Sequence, residues 1–447
     1  MAVGAMLTEQ AALDVTANNV ANLNTPGFSR RRPVLVPGDV LTAGPVDFQS
    51  GVKLGKVESL RDPILELRIQ EEYQQQGQLD AFVSAMSQLQ VMFTSSDGDI
   101  GTRISNLFTS LGQLSTDPTN LALRQSVLTS AGNLANAFRT TAQNLLSQRS
   151  NLDLSVGQSV QQINQLTGQI ADLNNQITSL ENVGNDASSF IDQRNVAIGK
   201  LSTLIDVAVV KTENSITLTT ANGTPLVAGN KSFDLDTQLD PSGVQHIFSL
   251  GTDVTGDLVS GSLAGQLQVR DQKIPGLLAN LDALASALAT SLNAANAKGF
   301  DLNGKAGGDI FLAPPASGVG AAAGMTVSMT DSSLLAASSD GSPGSNGNVA
   351  NLTAVHDQKI VSGQTPTDYY AGIVFNVGND VMNSTAESDA SQLILQQLQD
   401  QRGSVSGVSL DEEASNMIAY QRAYEAAARM VSTVNDILDT TINLGRY

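Results

Sequence analysis

The sequence predicts a mainly α-helical fold with a small all-β insertion: N- and C-terminal helices pairing as a coiled coil, a long helical-bundle body, and a β knob. Three observations carry this. Apolar residues recur at three- and four-residue steps at both chain ends, Ile and Leu alternate in heptads near the middle, and between residues 207 and 260 the apolar period switches to two.

Taken from the N-terminus, Val3, Met6, Leu13, Ala17 and Val20 fall on one helical face. That helix should stop at Asn22-Leu23-Asn24, ahead of a turn made by Asn24, Thr25, Pro26, Gly27 and Phe28. Two proline-limited extended pieces follow, to about Lys56. The triplet Arg30, Arg31 and Arg32 ahead of them reads as a solvated basic patch or, more sharply, as a contact with an acidic neighbouring subunit. Asp62 and Pro63 open the next helix as cap and first-turn residue. Leu65, Ile69, Leu79, Val83, Met86 and Phe93 carry it to a break at Asp97-Gly98-Asp99.

A shorter helix holds Ile104, Leu107, Leu111 and Leu114, and a very long one runs from about Thr119 to Leu180. In its second half Ile163, Ile170 and Ile177 repeat every seven residues, with Leu166, Leu173 and Leu180 three residues after each. Within one chain that seam suits an antiparallel hairpin. The expected partners are helices over 190–205 and about 277–295, the latter carrying Leu281, Leu284, Leu288 and Leu292. Between these two helices, alternating residues such as Ile216, Leu218, Leu226, Leu235 and Phe248 flank turns at Asn222-Gly223 and Pro241 to Gly243. An insertion that leaves a hairpin and returns to it should stand out as an exposed knob. A Gly, Ala, Ser and Pro-rich stretch from Lys298 to about Asn348, with a hairpin near Ile310 and Met325, leads to two more helices, over 369–382 and 391–402.

The C-terminal run, 409–444, is the most extended seam. Leu410, Met417, Tyr420, Tyr424, Ala427, Val431, Val434 and Leu438 form one ladder, and Ala423, Met430, Ile437 and Leu444 form a second beside it. Two ladders imply more than one neighbouring helix. Ser409 with Glu412 reads as a capping box. At about 1.5 Å per residue the rod would be roughly 54 Å long. A lone amphipathic helix of this kind is marginal in water, so both chain ends should be completed by each other and by other copies.

Composition removes most other functions. The formal net charge of −19, from 43 acidic and 24 basic residues, speaks against nucleic acid or an anionic membrane as partner. With no cysteine there is no disulfide or thiolate chemistry. No run approaches a membrane span, and Glu9 interrupts a short apolar start that lacks basic residues, so no cleaved signal is expected. The two histidines, His246 and His356, are far apart, and no metal-protease, Walker or nucleophile-elbow motif accompanies them. Gly318, Gly320 and Gly324, and Asp301, Asn303 and Asp309, fit Gly-rich turns better than nucleotide or calcium loops. No enzyme, catalytic residue, metal site or cofactor is expected.

These residues also carry a resemblance. LDVTANNVANLNTPGF, residues 13–28, resembles the N-terminal signature of the axial proteins of the bacterial flagellum, its rod, hook and hook-associated proteins, and VSLDEEASNMIAYQRAYEAAARMVSTVNDIL, residues 408–438, is similar to their shared C-terminal helix. The middle, with IGTRISNLFTSLGQLSTDPTN, INQLTGQIADLNNQI, IDQRN and GSLAGQLQVRD, is similar to the hook-associated members. Rod and hook proteins usually have mostly β middles.

The resemblance implies a structural subunit exported unfolded, without a cleaved signal, by the flagellar type III apparatus. It would lie outside the cell and form the junction between hook and filament, self-assembling through its terminal helices. Its partners would be other copies, the hook protein, a neighbouring hook-associated protein and an export chaperone. Leu13, Asn18, Asn19, Val20, Asn22, Thr25, Pro26, Gly27, Phe28, Leu410, Met417, Tyr420, Tyr424, Val431, Val434 and Leu438 are the expected assembly-interface residues. The expected domains are 1–60 with 404–447, a terminal coiled-coil core with its connector; 61–206 with 261–403, the helical body; and 207–260, the small β domain. Rival readings are a hook or distal rod subunit, or a secreted coiled-coil adhesin or effector.

Overall fold

The computed structural model describes every residue except 39, 44, 45, 50, 95–98, 212–214 and 445–447. Part of the expected break at Asp97-Gly98 therefore lies outside the described residues. The chain opens with α1 (Ala2–Ala21), turns at 22–30, and runs back along α1 as a ribbon of β1 (Arg31–Pro37), β2 (Val40–Ala43), β3 (Val46–Gln49) and β4 (Val52–Ser59). β1 pairs with β4 and β2 with β3, both antiparallel. Thr8 Oγ1 donates to Val52 O at 3.1 Å, tying the ribbon to α1.

Asp62 accepts from the amides of Ile64 and Leu65 and so caps α2 (Pro63–Thr94). α3 (Ile100–Leu114), capped by Asp99, and α4 (Leu121–Asn182), capped by Asn120, follow. At 62 residues, α4 is about 93 Å long and is the spine of the body. It turns through Gly184 into α5 (Ser188–Leu204). Next come two small antiparallel sheets. One is β5 (Ala208–Lys211), β6 (Ile216–Thr219), β7 (Pro225–Ala228) and β8 (Lys231–Ser232) in that order; the other is β9 (Leu235–Leu239), β10 (Gln245–Ser249) and β11 (Thr252–Asp253), with β10 central.

α6 (Gly261–Gln268) passes through a π-turn at Val269–Lys273 directly into α7 (Ile274–Asn296), so this helix starts well before the expected Leu277. α8 (Gly347–Ala354), α9 (Pro366–Ser406) and α10 (Leu410–Leu444) complete the chain. α9 is one helix, not the expected two, because the polar stretch around Asn383 to Asp389 contains no Gly or Pro and stays helical on the surface.

Two large apolar cores share α4. The first half, from Val127 to Leu152, packs with Phe82 to Phe93 of α2, α3, α7 and the start of α9, joined by Ile310, Phe311, Met325 and Leu335 of the Gly-rich stretch. The second half carries the Ile heptads. Ile163 and Ile170 join Ala197, Ile198 and Leu201 of α5 and Leu218, Leu226, Leu235 and Ile247 of the strands. Of the two expected hairpin partners, then, α5 packs on the heptads while α7 packs on the other half of α4. The strands lie along α4 and α5 instead of projecting, because small sheets of short strands have one apolar face and need a helix to cover it. Arg270, 0 % exposed, fastens that seam: from the π-turn its Nη1 donates to Asp153 at 2.7 Å and to Gln245 O of β10 at 2.8 Å.

Candidate assembly site: the terminal helices and the elbow

α1 and α10 run antiparallel as a two-helix rod, with the C-terminal end of α1 beside the start of α10. Asn19 Nδ2 donates to Glu413 Oε2 at 3.1 Å across this junction. The face of α1 that disappears inside the rod is not the apolar one expected. Thr8, Ala12, Thr16 and Asn19 are its buried residues, whereas Val3 is 57 % exposed, Ala17 is exposed, and Met6, Leu13 and Val20 are half-buried. Small side chains win the interior because the ribbon and α10 both lie close to α1 there. Thr16 donates its hydroxyl to Ala12 O four residues back, and Thr8 shares its one hydroxyl proton between Gly4 O and Val52 O.

On α10, Met417, Tyr420, Tyr424 and Val431 are half-buried and Ala427 is buried, so the first ladder does face α1 along this length. Beyond Val431 no described residue covers it. Every residue from 432 to 444 is exposed, including Val434, Ile437, Leu438, Ile442 and Leu444, and this overhang is about 20 Å long. Leu410 and Met430 are likewise more than half exposed.

The other end of the rod meets the body at an elbow held by arginines. Arg30 Nε donates to Glu413 at 2.7 Å, its Nη1 reaches Glu412, and its amide donates to Ser406 O at 2.9 Å. Burial disfavours the Arg30 charge, but the bond to Glu412 and the field of Glu413 outweigh it and hold the guanidinium above its ordinary pKa. Glu412 is thereby taken up by Arg30, and the capping box expected with Ser409 does not form. Asn19 grips the backbone of Arg31 on both sides, donating to its O at 2.8 Å and accepting from its N at 2.9 Å. Arg61 donates to Asp192 at 2.7 Å, to Ser188 O and to Ser29 Oγ. Arg402 donates to Glu66 at 2.6 Å and to Gly27 O at 3.2 Å.

Thus two of the three residues of the arginine triplet are neither a solvated patch nor free for a neighbouring subunit. Arg30 and Arg31 are spent within the chain, and only Arg32, 62 % exposed and paired with Glu58, stays at the surface. Asn18, Asn22, Thr25, Pro26 and Phe28 line a cleft at the elbow, and Gly27 packs on Val196 of α5. The structure therefore gathers the expected residues into three places: the α1–α10 seam, the overhang and the elbow. Glu413, Arg61, Asp192 and Arg402, which hold the elbow, were invisible in the sequence, since the charged partner of each lies over a hundred residues away.

Among the described residues no arrangement suited to catalysis emerges. His246 Nδ1 lies 2.7 Å from Asp253 on the surface, and His356 meets the ring of Phe108 edge-on. Among the described residues there is no group of three His, Asp or Glu that could hold a metal, and no helix is long and apolar enough to cross a membrane.

Known proteins agree with this geometry. The family model for the flagellar hook-associated protein FlgK helical domain matches residues 86–311, about half of the chain. The models for the C-terminal region of the flagellar basal body rod FlgEFG proteins and for the flagella basal body rod protein match 401–444 and 1–28, the two rod helices. Flagellar hook-associated protein 1 of Bacillus subtilis is 30% identical over 490 aligned residues, covering 98% of this chain and 96% of that one. Its Escherichia coli counterpart is 27% identical, covering 99% and 98%. The flagellar hook junction protein of Burkholderia pseudomallei superposes with a TM-score of 0.69 at 19% identity, over 76% of this chain and 100% of that one, which shows a shared fold. The chain belongs to the flagellar hook-associated protein 1 family, and is a structural component of the flagellum, not an enzyme.

Proposed function

We propose that this protein forms the junction between hook and filament, assembling with copies of itself through α1 and α10. The observation that carries the reading is the overhang. Val434, Ile437, Leu438, Ile442 and Leu444 are half to three-quarters exposed, and covering them in an assembly would contribute about 4–9 kcal/mol gross per copy. A stripe left bare in one copy and continuous with a helix seam is what a neighbouring rod helix covers.

In this reading Leu410, Val434 and Leu438 meet other copies outright. Leu13, Val20, Met417, Tyr420, Tyr424 and Val431 bind within the rod and offer their exposed halves to neighbours, and Asn18, Asn22, Thr25, Pro26 and Phe28 shape the exit from the rod. Asn19 supports the interface from inside. The rod with its connector (1–60 and 404–447), the helical body (61–206 and 261–403) and the β region (207–260) then act as the working units. The hook protein would be met on one side and a further hook-associated protein on the other, after export, unfolded and chaperone-bound, through the flagellar type III apparatus to the cell exterior.

A hook or rod subunit is the reading favoured by the two terminal family matches taken alone. Immunogold labelling of intact flagella separates them. A narrow band at the hook–filament boundary supports the junction, and label along the whole hook overturns it.

A further inference from the structure

Among the described residues, no buried apolar cluster contains a residue of α1, β1, β4 or α10. No shared hydrophobic core therefore fixes the angle between rod and body. In its place are the polar ties of the elbow and, among them, one pressed contact with an open cleft and an ionic latch on either side.

The contact is Gly27 on α5. Its φ is +79, and a Cβ added there would come within 2.2 Å of Val196 Cγ2, so only glycine lets the turn sit this close. On one side lies a cleft of about 390 Å³, lined by Asn18, Thr25, Phe28, Gln169 and Gln193. On the other is a cleft of about 490 Å³, lined by Tyr73, Lys200, Thr203 and Gln399. Each cleft leaves room for the turn to shift on α5.

Arg31 and Asp192 line the first cleft, and Arg402 lines the second, where it holds Gly27 O and Glu66. The Arg31 latch has slack. Its Nη atoms stand 3.7 Å from Asp192 and 3.9 Å from Asp186, beyond hydrogen-bond reach of either, and Arg31 Nε and Asp192 Oδ2 are buried without a hydrogen-bond partner among the described residues. Phe28 lies under the same guanidinium, 5.2 Å from ring centroid to Cζ, and guides it without fixing its depth.

We propose that Gly27 on Val196 is the pivot of an elbow, with Arg31 and Arg402 as opposing latches that limit how far the rod tilts against the body. Such a joint lets the rods keep one packing while each body follows a neighbour set at another angle. It lies within one chain and works whether or not copies assemble.

The protein has no cysteine, so introduced pairs report cleanly on the motion. Thr25→Cys with Gln193→Cys spans the first cleft, and Pro26→Cys with Lys200→Cys the second. In the isolated full-length chain under a glutathione redox buffer, both pairs should form disulfides. Each latch restrains movement toward the opposite cleft. Arg31→Gln should therefore speed closure of the second pair at least about fivefold and leave the first nearly unchanged, and Arg402→Gln should do the reverse. Failure of both pairs to close, or equal acceleration of both by either substitution, overturns the pivot. Raising ionic strength from about 0.05 to about 0.5 M should speed both pairs roughly twofold with the latches unmutated. Salt-independent rates contradict the proposal even where a substituted chain fails to fold. Label found away from the hook–filament boundary would overturn the junction reading and leave these rates as they are.

Discussion

Arg124 carries a buried charge with no carboxylate bonded to it. At 1 % exposure it donates to Pro118 O at 2.6 Å and to the carbonyls of Ser332, Ser333 and Leu335, stapling the loop before α4 to the Gly-rich stretch. Burial pulls its pKa down, opposed by the more distant Asp301. Arg124→Ala leaves those carbonyls unsatisfied and should lower stability in urea titrations by about 3 kcal/mol. Tyr370 gives a pH test. Burial first, then the charge of Asp99, pushes its phenol up to about 12, and its hydroxyl donates to Phe93 O at 3.4 Å. The folded pKa lies above the unfolded value near 10, so the protonated form favours the fold. Its contribution, roughly 2–3 kcal/mol, is complete below about pH 10 and is lost as pH rises through 12. Tyr370→Phe should remove that alkaline decline in denaturation curves measured across the same window.

Helix crossings in the body depend on close backbone approach. Gly77 of α2 sits against the end of α5, where an added Cβ would lie 2.1 Å from Thr203 O. Gly77→Ala should therefore cost about 2 kcal/mol or more in a thermal or urea melt, although alanine is the better helix former. The overhang makes the opposite prediction. Ile437→Asp with Leu438→Asp touches nothing buried in the single chain, so the melting temperature should stay within a few degrees while sedimentation shows assembly abolished. At this scale the sequence was a good guide wherever local signals acted alone. The cap at Asp62, the Ile163 heptads and the strand period at Ile216 and Leu218 each specify their own element. It was a poor guide where a distant segment decides. Polar threonines occupy the inside of α1 because the ribbon comes back along it, Glu412 leaves its capping box for Arg30, and the strands settle on α4 because their one apolar face needs cover. The elbow was legible as a turn at Pro26-Gly27 and illegible as a joint, since Arg61, Asp192 and Arg402 converge only in three dimensions.

Across the whole molecule, a body with two apolar cores along one long helix carries a rod that shares neither core. The two cores of the body close within a single chain, whereas α10 is covered only along the length where α1 faces it. Stability should therefore be unevenly distributed, high in α4 and α7 and low in the last three turns of α10. Amide hydrogen exchange of the isolated chain and of its assembled form tests this most directly. Residues 432–444 should exchange within seconds in the single chain and become strongly protected on assembly, with α4 and α7 protected in both. Strong protection of 432–444 in the isolated chain, unchanged by assembly, would contradict the account.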